Sequence, residues 1–370
     1  MNRTTRGFAR TVAVAAAAGV VVATGFAAPA SAAADKLTLG PATGVGPTGG
    51  SQCVTAKATL LGISQSNQTV SFQIVSGPNK GMALANAVTN SQGQATRCYS
   101  SAVSGVDTLQ ATVAGVVGTT TSNTVTRTWN AAPAVQIVSP ANLSGQELGV
   151  ATKVVANVSD ADGDLRSCEV SFDDGGAALV GTIANGQCTV TKTLAKVGVY
   201  TIKVTAKDAL NQATTAQTIL GVWDQRGSVS GNATYDSQAG AVTAQPSVTG
   251  EAAISVSAYY ASSLSSAPSG SVRLTLASAN LDFSSTALQW FVPLSGKAQV
   301  RGVGTLNGVS GYSFVVQVKD GGLFGKDAVD IRVWKTADGS VAYDTVKNTN
   351  DDLDAAAPQT VKSGNLSIAV

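Results

Sequence analysis

The stretch "GVYTIKVTAKDALNQATTAQTILGVWD", Gly198–Asp224, decides the fold class. Tyr200, Ile202, Val204 and Ala206 fall on one face, the period of two expected of a half-buried strand. Working upstream, Asn185-Gly186 sits between "ALVGTIA" and "QCTVTKTL", a strong two-residue hairpin signal. "SCEVSFDDG" and "TKVVANVSDADGD" each read as a strand followed by a turn. Residues 132–224 therefore predict a β-unit, entered through the proline-containing joint "NAAPAVQIVSPAN".

The same reading extends in both directions. In residues 33–131, "QCVTAKATL" puts Cys53, Thr55, Lys57 and Thr59 on one face and Val54, Ala56, Ala58 and Leu60 on the other. "TVSFQIVSG" alternates Val70, Phe72 and Ile74, and three further runs follow at intervals of about ten residues, a sandwich signature. Residues 225–370 hold five more strand-like runs, with Asn307-Gly308 and Asp338-Gly339 marking hairpins. Long helical periodicity is missing after the first 32 residues. The fold class predicted is all-β: tandem Ig-like sandwiches, then a larger sandwich or jelly-roll-like domain.

Residues 1–32 read as a cleaved signal peptide. Arg3, Arg6 and Arg10 precede an apolar run, Thr11–Phe26, and Ala30-Ser31-Ala32 suits the cleaving peptidase. The run is shorter than the roughly 20 residues of a membrane span. Cleavage removes three arginines and no acid, taking the formal charge from +2 to −1. A near-neutral chain lacks the basic surface that nucleic acid or anionic lipid requires, and no second apolar span follows. The expected location is outside the cell, secreted or at the surface. The four cysteines, Cys53, Cys98, Cys168 and Cys188, allow three connectivities, of which pairing within each unit is the least demanding.

"CVTAKATLLG", "VSFQIVSGPNKG", "SQGQATRCY", "GVDTLQATVAG" and "SNTVTRTW" together resemble the intimin/invasin-type bacterial Ig-like domain over residues 36–130. The resemblance implies a sandwich used as a spacer or adhesive module, with Cys53 and Cys98 joining two strands across its core. "SDADGD", "FDDGG" and "YTIKVTAKDALNQAT" resemble PKD-like and bacterial Ig-like modules over residues 133–224, without the tryptophan that PKD domains favour before the acidic loop. The third unit looks like a C-terminal β-domain that follows such modules in secreted bacterial proteins.

The chain contains no histidine, which removes Ser-His-Asp and Cys-His nucleophile systems and His-ligated metals. Glu169 and Asp173, four apart on a strand, would lie roughly 13 Å apart, outside the ~5–9.5 Å used by glycosidases. The expectation is a non-catalytic protein. Asp160, Asp162 and Asp164 have a spacing that wraps oxygens around a hard cation. Asp173 or Asp174 would close such a calcium site, although Asp-Gly turns also form by bonding their own backbone. No other cofactor is called for. "NTNDDLD" reads as a solvated acidic loop, and Asp320 and Asp327 form a weaker acidic pair. Trp334 alternates with Asp330 and Arg332 opposite Val329, Ile331 and Val333; on an exposed face it would stack on a sugar ring. Two functions follow: an extracellular structural or adhesion protein with a protein ligand, or a carbohydrate-binding protein whose C-terminal domain holds a polysaccharide.

Overall fold

The computed structural model describes residues 33–262, 267–323, 325–346, 351–353 and 359–370. The signal peptide expected over residues 1–32 lies outside the described residues, as does Asp354 of the "NTNDDLD" loop. The regular structure of the described residues is all strand apart from a single 3-10 turn at Ala277–Ala279. It divides into two compact units. One comprises the chain up to Gly44 with Gln52–Tyr99 and Asp107–Arg127; the other comprises Val45–Ser51, Ser100–Val106 and Thr128–Val370.

In the first unit the alternation read from sequence is the packing. Val54, Ala56 and Ala58 are buried on one strand, and Val70, Phe72 and Ile74 on another. The latter pair across the sheet with Val113, Ala111 and Leu109. Arg127 is buried here without a carboxylate: its guanidinium donates to the carbonyls of Cys53, Pro41 and Thr126. Cys53 and Cys98 are bonded, with Cα atoms 3.9 Å apart. They do not join strands across the core. Both lie on the exposed face of neighbouring strands in one sheet, because Cys53 shares its side of the strand with Thr55, Lys57 and Thr59.

In the second unit, residues 134–223 form two facing sheets. One orders Ala134–Ser139, Ala151–Ser159, Gln187–Thr193 and Thr182–Ala184. The other orders Ser144–Glu147, Ala213–Trp223, Gly198–Asp208, Leu165–Phe172 and Leu179–Val180. Tyr200, Ile202, Val204 and Ala206 point into the core as their alternation predicts. Asn185 and Gly186 have φ of 50° and 73°, the conformation a two-residue type I′ hairpin demands. Cys168 and Cys188 are bonded between the two sheets and fully buried. The edge segment crosses directly above them. A Cβ at Gly181 would stand 2.5 Å from each sulfur, so only glycine lets the chain pass.

Residues 228–369 form a single sheet in which each strand pairs with the next in sequence, from Ser228–Ser237 to Val341–Asp344. One segment then closes it. Gln359–Thr360 pairs with Ala328–Lys335, and Ser363–Ala369 pairs with Ser228–Ser237. The backbone of this closing strand is held by Asp327, which accepts from Leu366 N at 2.7 Å, and by Asp320, which accepts from Ile368 N at 3.1 Å. The weaker acidic pair of the sequence is thus a backbone clamp. The interior is filled by side chains, among them Phe283, Phe314 and Ile331, as in small closed barrels. Two tyrosines, Tyr235 and Tyr343, share a hydrogen bond there at 3.0 Å.

The sandwich of residues 134–223 and the barrel are one body. Leu143, Val199, Ile219 and Trp223 belong to the same apolar cluster as the barrel core. Trp290 reaches from the barrel and donates its indole N–H to Leu143 O at 2.9 Å. Its ring lies on bare backbone. A Cβ at Gly145 would stand 2.6 Å from Trp290 and 2.2 Å from Trp223, and one at Gly221 would stand 3.0 Å from Trp290. The expected division at residue 224/225 therefore falls inside a continuous core.

Truncating this tryptophan empties that joint. The shared core predicts one calorimetric unfolding transition for the second unit; Trp290→Ala is expected to cost about 3–5 kcal/mol and to give two. A single transition retained in the variant would contradict a shared core.

Candidate functional site

Two groups of charged side chains stand out, both in the second unit. The first is built at a loop end of the sandwich. Asp160 follows the strand Ala151–Ser159, and its Oδ1 accepts Asp162 N at 2.8 Å. Gly163, at φ 76°, turns the chain so that Asp164 comes back beside Asp160. Leu165 then pairs with Asp208 across the sheet. Carboxylate oxygens of Asp160, Asp164 and Asp208 consequently lie within 4.8 Å of one another.

Asp208 is fully buried and firmly held. It accepts Asn130 Nδ2 at 2.7 Å, Leu210 N at 2.9 Å and Gln212 N at 2.8 Å. Asp162 turns aside and accepts Ala131 N at 2.6 Å. Oδ2 of Asp160 and Oδ1 of Asp164 are buried and have no hydrogen-bond partner. Burial, then the charges of Asp160 and Asp208, push the Asp164 carboxyl above the ordinary carboxylate range. Hard oxygen donors, converging and partly unsatisfied, suit a cation such as calcium.

The structure does not bring Asp173 and Asp174 to this group. The strand Leu165–Phe172 separates them from it, at about 3.3 Å per residue. Asp173 accepts Thr201 N at 2.9 Å, and Asp174 pairs with Lys192 at 2.5 Å. Asp208, which takes their place, lies in "TAKDALNQ", 44 positions beyond Asp164. Only the strand register reveals it.

The second group lies on the outer face of the barrel. Asp330, Arg332 and Trp334 share one face of Ala328–Lys335, opposite the buried Val329, Ile331 and Val333. The face is covered rather than open. Asp330 is buried and Trp334 half-buried. The guanidinium carbons of Arg301 and Arg332 each lie 4.7 Å from the Trp334 ring centroid. Two stacked guanidiniums occupy the place a sugar ring would take, because a weakly hydrated planar cation is well matched to an aromatic face.

Asp351 closes this group. It forms an ion pair with Arg332, and its carbonyl accepts Gln299 Nε2 at 2.8 Å. Asp352 accepts Thr201 Oγ1 at 2.7 Å. Both aspartates are buried, not solvated as their sequence suggests: Asp351 lies against the half-buried Arg332 and Asp352 against the Thr201 hydroxyl. Burial pushes Asp351 up to about 6, against the opposing pull of Arg332. Burial likewise pulls Arg301 down to about 10.

The sign for Asp351 is opposite to that of an ordinary salt-bridged acid. Its folded-state pKa lies above the unfolded value of about 3.9, so the folded state takes up the proton first. This group should therefore add stability as pH falls from about 7 to 4. Carbon-detected NMR of the Asp351 carboxyl should give a midpoint near 6; a midpoint near 4 would contradict its burial.

No protein-family model matches the chain, and no curated protein matches it by sequence. Solved structures of low similarity do. Fibronectin(III)-like modules of Clostridium thermocellum CbhA share 19% identity, covering 50% of this chain and 93% of theirs, with a TM-score of 0.27. A C-terminal intimin fragment, solved with the intimin-binding domain of its translocated receptor, shares 17% over 55% of this chain and 67% of its own, at a TM-score of 0.34. The Yersinia pseudotuberculosis adhesin InvE shares 15% over 50% of this chain and 58% of its own, at 0.24.

Proposed function

We propose that this protein is an extracellular, non-catalytic structural or adhesive protein in which Ig-type sandwiches carry and orient a C-terminal β-barrel domain. The observation that carries the reading is the fused core around Trp290. It gives the barrel a fixed orientation on the preceding sandwich, which suits a module that presents a binding surface. Two disulfides add support, since such bonds persist in oxidising compartments outside the cytosol.

The test uses purified residues 33–370, immobilised and exposed to cell walls, insoluble polysaccharides and extracellular proteins. Saturable retention of a protein ligand is the expected result. Retention of polysaccharide alone would replace adhesion to protein with carbohydrate recognition, and retention of nothing would overturn the adhesive reading.

A second reading concerns the carboxylates of Asp160, Asp164 and Asp208. The partnerless oxygens of Asp160 and Asp164 favour a bound calcium ion that ties the entry of the sandwich, Asn130–Ala131, to its loops. A ligand that binds only the folded state stabilises it by mass action. Millimolar calcium should raise the melting temperature by several degrees relative to EDTA, and Asp160→Asn should abolish that rise. An unchanged melting temperature in calcium would overturn this reading and leave the cluster as turns bonded to their own backbone.

A further inference from the structure

The barrel ends in a largely apolar mouth with a cation, Lys335, at its rim. Strands Val309–Lys319 and Ala328–Lys335 face each other inward as three apolar rungs: Val318 with Val329, Val316 with Ile331, and Phe314 with Val333. All six side chains are at most 1% exposed. The next rung on the same side is Tyr312 opposite Lys335, with Cβ atoms of such pairs about 4.5–5.5 Å apart. Lys335 ends the inward row where the strand leaves the core, so it is solvent-exposed at the rim beside the half-buried Tyr312.

This rung lines a cavity of about 400 Å³ together with Val242, Leu281, Leu306 and Val341. The volume lies within the roughly 300–1,000 Å³ of small-molecule sites, for which barrel mouths are a recurring location. Several polar groups at the lip are already used. Gln245 Nε2 donates to Ala279 O at 3.2 Å. Asn307 accepts Asp282 N at 2.7 Å and donates to Asn280 O at 2.9 Å. Ser340 Oγ donates to Asp338 at 2.6 Å. Among the described residues, the Tyr312 hydroxyl and the Lys335 ammonium form no hydrogen bond or ion pair, and Lys335 acts on Asp338 only through space.

We infer that this mouth binds a small amphipathic carboxylate, its apolar body against Leu281, Leu306 and Val242 and its carboxylate at Lys335 and Tyr312. A cation and a phenol O–H beside an apolar wall complement one anionic head on a hydrocarbon or aryl body. A sugar fits the same space poorly, because hydroxyls pressed against valine and leucine lose their hydrogen bonds. The site is separate from the Trp334 group and from the proposed adhesive role.

The test is calorimetric titration of residues 33–370 with decanoate below its micelle concentration, with decanol as the uncharged control. Saturable one-to-one binding of decanoate is expected, with decanol weaker. Lys335→Gln should weaken decanoate about tenfold, the effect of losing one charge-assisted contact, and leave decanol unchanged. Leu306→Trp should fill the cavity and abolish both; circular dichroism and melting would establish that each variant is folded. Absence of saturable binding to the wild type would overturn the inference, as would binding indifferent to both substitutions. Decanoate binding that survives Lys335→Gln but not Leu306→Trp would overturn the carboxylate assignment.

Discussion

The indole of Trp290 is the contact on which the second unit depends. An aromatic side chain of this size removes 150–250 Å² from water, but only if the opposing surface lets it approach. Gly145 and Gly221 provide that approach, and Leu143 O receives the N–H that would otherwise be buried unpaired. Once the ring is seated, Leu143, Val199, Ile219 and Trp223 become part of the barrel's own core. The outer face of the barrel is then no longer free to be solvent-exposed. Gln299, Ser313, Gln317 and Asp330 on that face are all buried, and the polar chemistry of the Trp334 group follows from their need for partners.

That dependence explains which features were legible in the sequence. Strand alternation fixes which side chains face inward, so Val70-Phe72-Ile74 and Tyr200-Ile202-Val204 packed as read. Asn185-Gly186 and Asn307-Gly308 are local instructions and adopt positive φ at both positions. The same alternation already set Cys53 beside Thr55, Lys57 and Thr59, on the exposed side. A disulfide across that core was incompatible with it, and the structure follows the alternation.

The features that stayed hidden are non-local. Gly145, Gly181 and Gly221 look in sequence like any other glycines in a chain that has 39 of them. Their role is to lack a Cβ where a tryptophan ring or a disulfide passes, and the passing group is remote in sequence. Asp351 and Asp352 look solvated because acidic, polar neighbours surround them. Asp351 is buried against Arg332, which comes from another strand, and Asp352 against the Thr201 hydroxyl of the sandwich. Asp208 joins Asp160 and Asp164 only through the register of Leu165 with Asp208, which no spacing rule encodes.

The two charged groups differ in how they are balanced, and this separates framework from site. On the barrel, Arg301 and Arg332 are met by Asp351, by backbone carbonyls and by the face of Trp334. Opposite charges and an aromatic quadrupole lie together there, although Nε of Arg301, Nε of Arg332 and Oε1 of Gln299 keep no hydrogen-bond partner. At the sandwich loops, three carboxylates converge, and among the described residues none of them forms an ion pair. Asp208 is quieted by three hydrogen bonds, but Asp160 and Asp164 each keep a buried oxygen with no donor. Burial, then the charges of Asp160 and Asp208, hold the Asp164 carboxyl above the ordinary carboxylate range. Both groups keep buried polar atoms without a partner, but the arginines have a carboxylate of the chain beside them, whereas the three aspartates have no cation of the chain among the described residues.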